Sequence, residues 1–182
     1  MTFDDFKKYI NEYSKCNPLN VSKEIIYNLA SQLSEKIEKK YPTYSIYDIV
    51  RNIFKGRIHT VGLFDYTSIS GSIIIHGEDN FDVLLQEYTS PLQDKFNLAH
   101  ELGHYILHSD LGKEEKKWSL RDGSGSLEWE ANWFASGFLI PTHKIKELSK
   151  KEELTIDLLK RRFVVSEEDA MIRLKTFKQN NF

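Results

Sequence analysis

Cysteine occurs once in this 182-residue chain, at position 16. A single cysteine builds neither a disulfide framework nor a CxxC zinc or redox site, so Cys16 reads as a small, near-buried hydrophobe. Neither sign of charge dominates: 25 Lys and Arg stand against 27 Asp and Glu, a formal net charge of −2. That is no electrostatic footprint for nucleic acid. No apolar run approaches the length of a membrane span. The first residues, MTFDDFKKYINEY, are acidic and amphipathic and lack the apolar stretch of a secretory signal. These absences point to the cytosol. They also point to a core held by burial alone, which a chain of this length supplies without cross-links. There is no internal repeat and no low-complexity segment.

Proline is scarce as well, and its four copies punctuate the chain. Pro18 ends a helical pattern over 2–14 that carries Phe3, Phe6, Ile10 and Tyr13. Pro42 closes a longer helix over 22–40, with Ile25, Leu29, Leu33 and Ile37 every fourth residue and Ile26 and Ala30 widening the stripe. A third helix starts at Ser45, with Asp48 completing a capping box and Ile46, Ile49, Val50 and Ile53 on its apolar face. Lys55-Gly56 stops it. The period then shortens: 57–64, 71–76 and 81–88 read as three strands, with a hairpin turn over 77–80. Pro91 opens a helix that runs to about His108, and Pro141 follows another over 126–139. Residues 109–125 read as a polar loop. The tail gives helices over 142–149 and 156–163 and a last one from Ser166, where Asp169 suggests a second capping box. The fold class is therefore α+β: a small antiparallel sheet packed on a central helix. The expected layout is an N-terminal helical segment (1–56), a core (57–141) and a C-terminal helical lobe (142–182), forming one compact unit.

The chemistry is concentrated in FNLAHELGHYILH, residues 96–108. Residues four apart on a helix lie about 40° apart around its axis, so His100 and His104 face one way and can share a metal ion. Glu101 sits about 100° round from His100, beside the metal position rather than on it. Two imidazoles and an adjacent carboxylate at this spacing are the arrangement for two zinc ligands and a general base. Satisfied histidines in an ordinary helix are the competing explanation. The apolar flanks, Phe96, Leu98, Ala99, Leu102, Ile106 and Leu107, weigh against it, because buried polar groups are costly without partners. Gly103 weakens a helix, which suggests that another segment passes close by. His108 continues the face of His104 by another turn, beyond the reach of one metal, and reads as a supporting residue.

A catalytic zinc takes three protein ligands and an open position. SLEWEANWFASGFLIP, residues 126–141, offers Glu128 and Glu130. Glu128 shares a helical face with Asn132, which can hold the outer nitrogen of a ligand histidine. Glu130 points roughly the opposite way and suits the negative charge favoured at a helix N-terminus. Glu128 is the preferred third ligand and Glu130 the alternative.

DKFNLAHELGHYILH followed by EWEANWFASGFLIP resembles the ImmA/IrrE family of bacterial metallopeptidases, over about residues 57–141 and, more weakly, the tail LLKRRFVVSEEDAMIRL. Asn97 stands where threonine is common in that family and Ile140 where methionine is common. The resemblance implies a gluzincin-like site with one Zn2+, in which His100, His104 and Glu128 are ligands and Glu101 the base. It also implies a protein substrate, a helix-turn-helix transcriptional repressor encoded nearby. For the second donor to a tetrahedral oxyanion, Tyr88, Tyr105 and His76 are candidates, and the strand over 81–88 offers an edge for an extended substrate. Two other functions compete. One is a regulatory or toxin–antitoxin-type binding module with a structural or latent zinc. The other is a DNA-binding regulator acting through residues 156–178; the carboxylates Glu167, Glu168 and Asp169, at the end that would meet DNA, argue against it. A membrane partner is not expected.

Overall fold

A computed structural model describes residues 22–62, 72–77, 79–108 and 126–179. The expected helix over 2–14 and the loop over 109–125 lie outside the described residues.

Helix α1 (Lys23–Lys40) starts at Ser22, whose side chain accepts from the Ile25 N–H. Its buried stripe is Ile26, Tyr27, Ala30, Leu33 and Ile37. Ile25 stays half exposed, so the buried face is centred one position on from the expected one. Ser45 and Asp48 form the full capping box at the start of α2 (Ile46–Asp48). The chain then widens into a π-helical turn, Ile49–Ile53, which no local signal had marked. Lys55, at φ 59°, and Gly56 end it. Gly56 is required there: a Cβ would fall 2.4 Å from the Phe81 ring.

The sheet holds β1 (Arg57–Val61), β2 (Ser72–Gly77) and β3 (Asn80–Gln86), in the order β1-β3-β2. β2 and β3 form the expected antiparallel hairpin, with a bulge between Ile75 and Gly77. β1 pairs parallel with β3, Arg57 opposite Asp82, so the sheet is mixed rather than antiparallel. A tight turn would have forced β1 against β2, but the ten residues from 62 to 71 are long enough to carry the chain to the other side of β3. β3 is consequently central. The expectation that residues 81–88 offer an edge to a substrate is corrected: both sides of β3 are taken, and among the described residues the outer strands are β1 and β2. Along β3, Phe81, Val83 and Leu85 alternate into the core, as a strand with one covered face requires.

Helix α3 (Pro91–His108) packs against β2 and β3, and α4 (Ser126–Leu139) packs on α3 and on α1. One apolar cluster runs from Ile26 to Phe138 through all of these elements. Two glycines permit the close packing. At Gly103 a Cβ would stand 3.1 Å from the Phe134 ring and 3.3 Å from the Ala131 Cα, so α4 is the passing segment that the glycine suggested. At Gly137 a Cβ would meet the Tyr27 backbone oxygen at 3.0 Å, which sets α4 against α1. Gly103→Val is expected to cost about 1–3 kcal/mol by overpacking, read as a lower midpoint in urea unfolding. An unchanged midpoint would mean that the two helices separate freely.

A second cluster, Ile140 to Phe177, is the core of the C-terminal lobe: α5 (Thr142–Ser149), α6 (Ile156–Phe163) and α7 (Glu167–Gln179). Thr155 caps α6, and Ser166 accepts from the Asp169 N–H at the start of α7. Val164, between them, is left-handed at φ 52°. Arg173 ties the lobe to the rest. It is fully buried, donates through Nε to the Ile140 carbonyl (2.9 Å) and through Nη2 to Thr142 Oγ1 (2.7 Å), and lies 4.4 Å over the Tyr27 ring. Burial pulls its pKa down to about 10, so it stays charged at neutral pH.

Candidate metal centre

Helix α3 buries every residue from Asn97 to His108. Such a helix must account for each polar side chain it carries, since desolvation without a partner costs free energy. His100 and His104 face the start of α4, with their Nε2 atoms 3.0 Å apart. Glu128, in the first turn of α4, reaches both: Oε2 lies 3.2 Å from His100 Nε2, and Oε1 lies 3.1 Å from His104 Nε2. The three side chains are buried, and one ligand atom from each lies within 4.8 Å of the others.

The outer nitrogens are occupied. Asn132 Oδ1 lies 2.9 Å from His100 Nδ1. An amide oxygen only accepts, so the His100 Nδ1 carries a proton, and in the neutral ring its Nε2 presents a lone pair. The His100 lone pair and the Glu128 carboxylate, 3.2 Å apart, repel each other unless a cation sits between them. The donor set, two imidazoles and one carboxylate, is that of a zinc site with an open position. The residues therefore fit a metal on their own chemistry.

Glu101 is buried on the same helix, directly after His100. Glu130 is not one of the three converging groups. Its Oε2 lies 2.9 Å from His108 Nε2, and His108 Nδ1 lies 3.2 Å from His104 Nδ1. Sequence reasoning assigned Glu130 to the helix terminus and missed this contact. The signal available was the repeat of histidine at 104 and 108 beside a second glutamate. Burial pulls the His108 pKa below its ordinary value, against the opposing pull of Glu130.

Two of the three oxyanion candidates are engaged elsewhere, and the third points out to solvent. The Tyr105 hydroxyl accepts from the Asp79 N–H at 3.0 Å, and its ring stacks on Phe81. His76 Nε2 lies 2.6 Å from Asp82, a carboxylate shared with Arg57 and His59. Tyr88 is exposed and left-handed, at φ 68°. In the tail, Lys160 of the basic cluster is paired with Glu167 at 2.8 Å. No described helix is long and apolar enough to cross a membrane.

Residues 66–175 match the family described as IrrE N-terminal-like domain, Peptidase_M78. The chain belongs to this family. The match takes in both motif helices and most of the C-terminal lobe. The family is one of metallopeptidases, and the converging His100, His104 and Glu128 are its possible metal site in this chain. No curated protein gives a significant match. A solved structure of a Mycobacterium tuberculosis transcriptional regulator is similar at a TM-score of 0.55 and 18% identity, over 96% of this chain and 51% of that one. At that identity the likeness speaks for the fold alone. The chain spans about half the length of that protein.

Proposed function

We propose that the chain is a zinc-dependent endopeptidase that cuts one specific protein, a helix-turn-helix transcriptional repressor, and so relieves repression. The observation that carries the reading is the convergence of His100 Nε2, His104 Nε2 and the Glu128 carboxylate, with Glu101 adjacent on the same helix. The repressor as substrate rests on the resemblance of the two motifs to the ImmA/IrrE family.

His100, His104 and Glu128 would hold the ion. Zinc, when bound, supplies the Lewis-acid charge that polarises a peptide carbonyl and acidifies water. Asn132 keeps the His100 ring oriented through Nδ1. Glu101 takes a proton from the attacking water and delivers it to the leaving amine nitrogen. An extended substrate then has to use an outer strand of the sheet, since β3 is paired on both sides.

The test is to incubate the zinc-loaded protein with repressors encoded beside its gene and to look for a single cut by mass spectrometry. Cleavage is expected to stop with a chelator such as phenanthroline and to return when zinc is restored. A repressor that is bound but left whole by the loaded protein would favour the binding-module reading.

A further inference from the structure

His108 and Glu130 are buried, polar and outside the set of converging ligand atoms. A carboxylate placed this deep is costly unless it is paired and hydrogen-bonded. Apolar residues would fill the same space without that cost, so their presence asks for a reason beyond packing.

The geometry supplies one. Glu130 Oε2 stands 2.9 Å from His108 Nε2. A carboxylate accepts, so the proton of neutral His108 rests on Nε2, and its Nδ1 is left with a lone pair. That Nδ1 lies 3.2 Å from His104 Nδ1. The only hydrogen bond available between these two nitrogens is then donated by His104. With its proton on Nδ1, His104 turns a bare Nε2 toward Glu128 and His100. The result parallels the other imidazole, where Asn132 does the same for His100 with one amide. The difference is that the chain behind His104 ends in a carboxylate, which makes that ring the stronger donor.

We propose that His108, at the end of α3, and Glu130, on α4, are positioning residues, a two-member relay that fixes the tautomer and orientation of His104 and strengthens it as a metal donor. This rests on the metal-centre reading above.

The experiment compares zinc affinity, by competition against a chromophoric chelator, with the visible spectrum of the Co2+-loaded full-length protein. Glu130→Ala and His108→Leu are each expected to weaken zinc binding by about 10–100-fold and to shift the Co2+ bands. His108→Asn is expected to recover most of the affinity, because its Oδ1 can accept from His104 Nδ1 as Asn132 does from His100. Glu130→Gln, which keeps an acceptor but not the charge, should fall between wild type and Glu130→Ala. That milder variant, with His108→Asn, keeps the test decisive if His108→Leu fails to fold. Wild-type affinity and spectrum in the variants, with zinc bound to the wild type, would overturn the relay alone. So would lower thermal stability without any change at the metal. A wild type that binds no zinc would sink the metal centre, and the relay with it.

Discussion

Glu101→Gln is expected to bind a full equivalent of zinc and to cleave its substrate about 10²–10⁴-fold more slowly. The amide matches the carboxylate in size, so the buried site keeps its shape and its three converging groups. What is lost is the ability to take a proton. Metal content by elemental analysis and kcat/KM on the same preparation separate the two effects. Wild-type turnover by this variant would show that Glu101 is not the base. Loss of zinc together with activity would show that it holds the metal instead.

Glu128→Ala is expected to abolish stoichiometric zinc, a larger effect than the about 10–100-fold cost of losing an outer partner of a ligand. Glu128 touches both inward-facing histidine nitrogens, so its removal leaves two donors where three are needed. Glu130→Ala should still load at saturating zinc, more weakly, because Glu130 acts through His108. Zinc that binds only the folded protein raises its stability, by about 4 kcal/mol at a thousandfold excess over Kd. The melting temperature of the wild type should therefore climb with zinc, and that of Glu128→Ala should not. Zinc lost only in Glu130→Ala would move the third ligand by two residues.

Much of this was legible in the sequence because it is local. Pro91 opens α3, Pro141 separates α4 from α5, and the Ser45–Asp48 capping box opens α2, as their residue types require. The β2–β3 hairpin was legible from its turn residues. The features that were not legible depend on where distant segments meet. The ten residues between β1 and β2 gave no hint that β1 would pair parallel with β3. The π-helical turn over Ile49–Ile53 has the same apolar spacing that an α-helix would show.

The sequence by itself determined which way His100, Glu101 and His104 point, because helical geometry fixes the angles between neighbours on one helix. It also named Glu128 and Glu130 as the two glutamates on the facing helix. Only the tertiary structure decided which of them meets His100 and His104. That choice depends on how far α4 slides along α3, and the slide is set where Gly103 admits Phe134 and Ala131. At that register Glu128 meets His100 and His104, and Glu130 meets His108. Spacing within a helix is a property of one segment, whereas register between helices is decided by side chains about thirty residues apart packing to contact.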